Sequence, residues 1–125
     1  MIELSKTEEQ LMELIWKMEP VFMKEILEAL PEPKPAPSTI ATLLKRMQEK
    51  EFISFETFGN SRQYKSLVAK DKYFSTRVNG MIKDFFNNSA LKFASFFTTN
   101  SKLSNSELAE LRNMIDQQLK EQKDE

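Results

Sequence analysis

The chain has 125 residues, 40% of them hydrophobic and 30% charged, with 18 basic and 19 acidic residues, a net charge of −1, and neither cysteine nor histidine. That size allows one ordinary domain, or a small domain with an oligomerisation tail. The missing residue types exclude disulfides, cysteine-based metal sites, imidazole acid–base catalysis and thiol nucleophiles. Carboxylate sites for Mg²⁺ or Ca²⁺ stay formally open, but no EF-hand spacing occurs, and neither a metal nor a cofactor is expected. No run of about 18 apolar residues is present, and Met1-Ile2-Glu3-Leu4-Ser5 lacks the charged and apolar regions of a signal peptide, so a soluble cytoplasmic protein is the expectation.

Ser5-Lys6-Thr7-Glu8 reads as a capping box that opens a first helix, with Leu4 placed to staple onto its second turn. Leu11, Leu14, Ile15 and Met18 follow at helical spacing, Met12 and Trp16 widen the stripe, and Pro20 ends it. Trp16 is expected to anchor a core. A second helix is predicted over about Met23 to Leu30, its buried side supplied by Phe22, Ile26, Leu27 and Leu30. The alternating prolines from Pro31 to Pro37 hold the chain extended and form a stiff connector. A proline-rich ligand for a partner domain is the less favoured reading of this stretch.

Pro37 suits the first turn of a third helix that runs to about Lys50. Ile40, Leu43, Leu44 and Met47 form one apolar stripe, and Ser38, Thr39, Thr42, Lys45 and Arg46 occupy the other side. Hydroxyls can bond base edges and phosphates, and Lys and Arg neutralise phosphates, so this face suits a DNA major groove. Alone, such a helix reads as an ordinary amphipathic surface helix; its neighbours decide. Phe52 to Phe58 alternates apolar and polar residues, Gly59-Asn60-Ser61 makes a turn, and Arg62 to Val68 returns as a second strand. Three short helices followed by one hairpin make a winged helix-turn-helix, with the hairpin as wing.

Charge supports that placement. Residues 34–65 hold Lys34, Lys45, Arg46, Lys50, Arg62 and Lys65 against Glu49, Glu51 and Glu56, while residues 1–33 are acidic. The expected DNA-contacting set is Lys34, Ser38, Thr39, Thr42, Lys45, Arg46, Arg62 and Lys65. Ser38, Thr39 and Thr42 would meet base edges, and the cations would meet phosphates.

From about Ala69 the pattern changes. Tyr73, Phe74, Val78, Met81, Ile82, Phe85 and Phe86 suggest a long helix, which Asn87-Asn88-Ser89 interrupts. Leu91, Phe93, Ala94, Phe96 and Phe97 mark another short helix, and residues 98–102 read as a polar linker. Ser104 and Glu107 form a second capping box for a last helix, expected to fray from Glu121 onward. Three helices of this length can hardly hide two Phe pairs and many aliphatics within one protomer, so the tail is expected to pair with a second copy. The expected dimerisation residues are Phe85, Phe86, Leu91, Phe96, Phe97, Leu108, Leu111 and Ile115. The architecture is thus mainly α with a small β-hairpin wing: a winged-helix DNA-binding domain over residues 1–68 and a helical dimerisation domain over residues 69–125.

The ordered set Leu4-Ser5, Glu8, Leu11-Met12, Ile15-Trp16, then Ser38-Thr39-Ile40, Thr42-Leu43-Leu44, Arg46-Met47, Lys50 and Phe52-Ile53 resembles the penicillinase repressor family of winged-helix transcriptional regulators. Arg62-Gln63-Tyr64, Ser66-Leu67-Val68 and, in the tail, Leu103-Ser104, Glu107-Leu108 and Glu110-Leu111-Arg112 extend the resemblance over nearly the whole chain. It implies a dimeric repressor seated on a palindromic operator of double-stranded DNA. It also implies a sensor-linked protease as partner, with cleavage in the dimerisation domain releasing the DNA. Three positions depart from the family pattern. Ala41 stands where relatives often carry Arg, Glu51 replaces a common Gly between the third helix and the wing, and the Asn-Phe cleavage position aligns with Phe96-Phe97. A copper-sensing branch uses clustered cysteines, which this chain lacks.

The alternative function is a winged-helix protein-interaction adaptor without specific DNA binding, which the net negative charge and Ala41 favour. An enzyme would need carboxylate or Ser/Lys chemistry, and no such cluster stands out.

Overall fold

The computed structural model describes residues 3–123, which form α1 (Lys6–Met18), β1 (Val21–Phe22), α2 (Met23–Ala29), α3 (Pro37–Glu49), β2 (Ile53–Phe58), β3 (Ser61–Ser66), α4 (Lys70–Phe85), α5 (Ala90–Asn100) and α6 (Asn105–Lys123). They divide into two compact units, with the boundary between Arg77 and Val78 inside α4.

In the first unit α1 opens on the expected capping box. The Ser5 hydroxyl accepts from the Glu8 N–H at 3.2 Å, and the Ser5 N–H donates to Glu8 Oε1 at 2.9 Å. Leu11, Met12 and Ile15 of α1 pack with Ile26, Ile40, Leu44, Met47, Phe52, Ile53 and Tyr64 in one buried cluster that also takes in Leu4 and Val21. Each such side chain contributes about 1.5–3 kcal/mol on burial. Trp16 is half-buried against this cluster, and its indole N–H donates to the Val68 carbonyl at 2.9 Å, fixing the exit from the wing to α1.

The hairpin turn is two residues long, with Phe58 opposite Ser61 and Gly59 at φ +61°. A positive φ at the first central position is what a type II′ turn asks of glycine. β3 also pairs with β1, which the sequence pattern did not announce, to give a three-stranded antiparallel sheet in the order β1-β3-β2. Two residues are too few to show an alternation; Val21 and Phe22 become a strand only because Tyr64 and Gln63 lie opposite. Phe22 is therefore a strand residue rather than part of the α2 face.

α3 closes with a Schellman motif. The Phe52 N–H bonds to the Met47 carbonyl and the Glu51 N–H to the Gln48 carbonyl, both at 3.0 Å, with Glu51 at φ +65°. A non-glycine residue pays for that conformation in steric strain. Glu51→Gly is accordingly expected to raise the unfolding free energy by about 1 kcal/mol, read from urea melts. An unchanged or lower value would show that Glu51 gains a compensating contact.

Glu8 is buried and carries a second duty. Lys50 Nζ donates to its Oε1 at 2.9 Å and its Oε2 at 3.2 Å, tying the start of α1 to the end of α3. Burial pushes the Glu8 carboxyl up, but the bonds from Ser5 and Lys50 outweigh it and leave the group below its ordinary value. A carboxyl lowered by folding stabilises above its unfolded pKa and loses that contribution as pH falls through the folded value. Glu8→Gln is expected to lower stability at neutral pH and to flatten the decline between about pH 5 and pH 3. A mutant whose acid decline matches the native one would remove Glu8 from the account.

Tyr73, in the second turn of α4, is buried in the first unit, with its ring centroid 5.6 Å from Phe52 and 6.0 Å from Trp16. Its hydroxyl donates to Glu9 Oε2 at 2.5 Å, and burial together with the Glu9 carboxylate pushes the phenol up from its ordinary pKa. Arg77 pairs with the same oxygen. These contacts extend the first unit into α4 as far as Arg77.

The second unit contains the end of α4 with α5 and α6. Asn87 and Asn88 take positive φ, and the Asn88 N–H reaches back to the Ile82 carbonyl at 3.1 Å, so the expected interruption is a tight helix stop built on residues that tolerate it. Ser89 caps α5 through the Lys92 N–H. α5 continues through Asn100, so Thr98 to Asn100 are helix rather than linker. Thr98 Oγ1 bonds the Ala94 carbonyl at 2.9 Å and Asn100 Nδ2 the Phe96 carbonyl at 2.9 Å, which lets polar residues sit in the last turn without leaving it. The second capping box forms, with Ser104 and Glu107 exchanging bonds at 3.0 Å. α6 stays regular through Lys123, past the point at which fraying was expected, and residues 124–125 lie outside the described residues.

Candidate nucleic-acid interface

α3 separates its two faces cleanly. Ile40, Leu44 and Met47 are buried and Leu43 is half-buried, while Ser38, Thr39, Ala41, Thr42, Lys45 and Arg46 are exposed. At 100° per residue these six fall on one side of the helix. Glu49 lies on the same side at the far end, so the face runs from hydroxyls through two cations to one carboxylate.

The N-terminal end of this face is open. Ala36 caps α3 without any side-chain bond and Pro37 has no N–H to offer. The Thr39 N–H already donates to the Ala36 carbonyl at 2.9 Å, so the Ser38 N–H and the helix dipole are what this end offers an anion. Thr42 Oγ1 donates to the Ser38 carbonyl at 3.0 Å, so its proton is engaged within the helix and its lone pairs and methyl group are what it can present. Among the described residues, neither Lys45 nor Arg46 is in a salt bridge. Lys50, counted with the basic stretch on charge alone, is half-buried and paired with Glu8.

The wing sorts its cations by strand alternation. Arg62 lies opposite Thr57 and shares a face with Tyr64 and Phe55, the side that packs on the core. Its guanidinium carbon stands 4.3 Å from the centroid of the Phe55 ring. That cation–π contact holds the exposed Arg62 head against a half-buried aromatic whose ring lies 5.9 Å from Tyr64. Phe55 is the residue that reading the sequence missed; the diagonal pairing of Arg62 with the residue two before Thr57 was available once the hairpin register was drawn. Lys65 falls on the opposite face, beside a cleft shared with Glu19, Pro20, Glu56 and Gln63. Lys34 is exposed in the connector, its Nζ donating to the Glu28 carbonyl at 3.3 Å. The structure therefore gathers Ser38, Thr39, Thr42, Lys45 and Arg46 on one helix face, sets Arg62 on the core-facing side of the wing, and places Lys34 and Lys65 elsewhere.

In the second unit α5 and α6 have no buried residue. Phe85 is 78% exposed, Leu91 80%, Phe96 53% and Ile115 57%, with Phe97 and Leu108 also exposed. Phe86 is half-buried, 5.5 Å from the Phe93 ring and 5.4 Å from Phe96, and Leu111 is half-buried. Among the described residues there is no acidic cluster able to hold a metal ion, and no helix is long and apolar enough to cross a membrane.

The sequence pattern of the family described as Penicillinase repressor matches residues 4–117. The Methicillin resistance regulatory protein MecI of Staphylococcus aureus (strain N315) is 32% identical over 118 residues, covering 90% of this chain and 93% of its own. The Penicillinase repressor of Bacillus licheniformis is 23% identical over 116 residues, covering 92% of this chain and 91% of its own. That of Staphylococcus aureus is 26% identical over 115 residues, covering 91% of each chain. With the winged helix in place and the match running through the wing into α6, the chain belongs to the penicillinase repressor family of DNA-binding transcriptional repressors.

Proposed function

We propose that the chain acts as a homodimer on a palindromic operator, with α3 in the major groove and the wing on the flanking backbone. The observation that carries this reading is the exposed α3 face, where hydroxyls and two cations, in no salt bridge among the described residues, stand over a side that buries Ile40, Leu44 and Met47. Ser38, Thr39 and Thr42 read base edges. Lys45, Arg46 and Arg62 bind phosphates, and Lys34 and Lys65 add weaker contacts to the backbone. Ala41 offers only a methyl group, so its position favours a thymine methyl over the guanine that an arginine would select. Repression needs no chemistry, since a bound dimer blocks the promoter by occupancy.

The apolar surface of α5 and α6 supplies the dimer contact. Two reading helices would then meet half-sites one helical turn, or a multiple, apart. Release follows from loss of that contact, by cleavage or another signal. The Phe96-Phe97 bond lies inside α5, so a protease acting there needs the helix to open first. The relatives' names tie them to methicillin resistance and penicillinase; a β-lactam response is the corresponding reading for this chain.

Salt dependence tests the phosphate contacts. Three cations on each of two protomers give about six neutralised phosphates and a slope of log K against log salt near −5. Arg62→Ala should flatten that slope by about 2 in the dimer and weaken all duplex sequences alike. An Arg62→Ala protein with unchanged affinity and slope would take the wing off the DNA. Salt-insensitive binding to a protein, with no retention on DNA at low salt, would favour the adaptor reading instead.

A further inference from the structure

We propose that Phe55 is the positioning residue of the wing: its ring, seated on Tyr64, holds the Arg62 guanidinium in place to fork onto one DNA phosphate, a task that a lysine at position 62 cannot perform. The stack stands on the geometry of the hairpin alone; its use on DNA rests on the operator reading above.

The hairpin register builds the arrangement. Phe55 lies directly opposite Tyr64, and Arg62 lies opposite Thr57, so Arg62 and Phe55 are diagonal neighbours on one face of the sheet. Tyr64 is 5% exposed and belongs to the core cluster. Phe55 is half-buried beside it, with ring centroids 5.9 Å apart. The guanidinium carbon of the exposed Arg62 sits over the Phe55 ring, 4.3 Å from its centroid. The three side chains thus run from core to solvent as one ladder. Phe55 is further from the Gly59 turn than Thr57, so Arg62 leans back toward the root of the hairpin instead of reaching past its tip.

Among the described residues, Arg62 is in no salt bridge, and its guanidinium donates no hydrogen bond. Its face of the sheet also holds Ile53, Phe55, Thr57, Tyr64 and Ser66, none of them charged, whereas Glu56 falls on the other face with Lys65. A guanidinium carries five N–H donors in a flat fork, and a ring on one side of it leaves donors for a phosphate. Arginine can therefore stack and bind at once. An ammonium is a compact, strongly hydrated point charge and presents no planar fork from the same seat. Ordering a long side chain on binding costs affinity, and a seat that orders it beforehand removes that cost.

Duplex binding by the full chain, read through a double-mutant cycle on Phe55→Leu and Arg62→Ala, tests the assignment. Phe55→Leu keeps an apolar side chain at the site. It should lower affinity roughly tenfold in the dimer and leave the salt slope at its native value, because the charge at position 62 is still present. In an Arg62→Ala background it should cost nothing further. Phe55→Tyr, which keeps the ring, should bind as the native chain does, and Arg62→Lys should bind as weakly as Phe55→Leu. A loss of the same size with and without Arg62 would show that Phe55 acts through the fold and would overturn the role, as would native affinity in Arg62→Lys. The seat itself is read without DNA, from the ring-current displacement of the Arg62 δ-protons, which Phe55→Leu should abolish. No displacement in the native chain would overturn the proposal whatever the DNA behaviour. A displaced signal with uncoupled substitutions would overturn the positioning role and leave the operator reading standing. A displaced signal in a chain that no duplex retains at low salt would overturn the operator reading and the role with it.

Discussion

Leu108→Glu combined with Ile115→Glu is expected to turn the proposed dimer into a monomer in sedimentation and to lower operator affinity by roughly 100-fold or more. The two residues lie seven apart on α6, on one stripe with Leu111, and both are exposed in the protomer. In a dimer each would bury a carboxylate against apolar side chains, which is costly without a partner. In the monomer both carboxylates stay in water, so the first unit keeps its fold and its α3 face. The loss at the operator then has one source. Once one protomer is bound, a tethered second protomer meets its half-site at high effective concentration, and a separated one does not. A gel-shift titration in which the double mutant matches the native chain would remove the dimer from the mechanism.

Tyr73→Ala is expected to cost about 3–5 kcal/mol of stability. That is a large share of what a small domain has in total. The ring fills the space among Trp16, Phe52 and Phe74, and its hydroxyl holds Glu9. Tyr73→Phe keeps the ring and loses only the bond to Glu9, so its cost should be nearer 1–2 kcal/mol. Urea melts of the full chain separate the two. Equal costs for both variants would mean that the Glu9 bond, and not the packing, is what Tyr73 supplies.

Tyr73 also shows where sequence patterning stops. It lies on a long helix that begins after the wing, and periodicity alone groups it with the helix that follows it. Its true neighbours, Glu9 and Trp16, are more than fifty residues earlier, and no local pattern encodes that contact. The same holds for Lys50: next to Lys45 and Arg46 in the chain, it reads as part of a basic surface, and only the fold reveals Glu8 against it. β1 was invisible for a related reason, since two residues become a strand only through the partner strand. What was legible rests on short-range physics. Both Ser/Glu capping boxes, the Pro20 stop, the Gly59 turn and the two faces of α3 depend on residues within one or two turns of each other. The exposed face of α3 was legible because amphipathic helices announce their solvent side. The placement of Lys65 away from Arg62 needed the strand register.

Glu51 joins the two levels. The chain bends there with φ +65°. The Gly of the family pattern would take this conformation without strain, and Glu51 adopts it all the same.

Selection of binding sites from a random duplex pool with the purified full-length chain tests the central claim most directly. The expected result is enrichment of a twofold-symmetric site, with half-sites one DNA turn or a multiple apart, that disappears with Leu108→Glu and Ile115→Glu. Enrichment of a single unpaired half-site, unaffected by those substitutions, would contradict it, as would a pool that shows no enrichment.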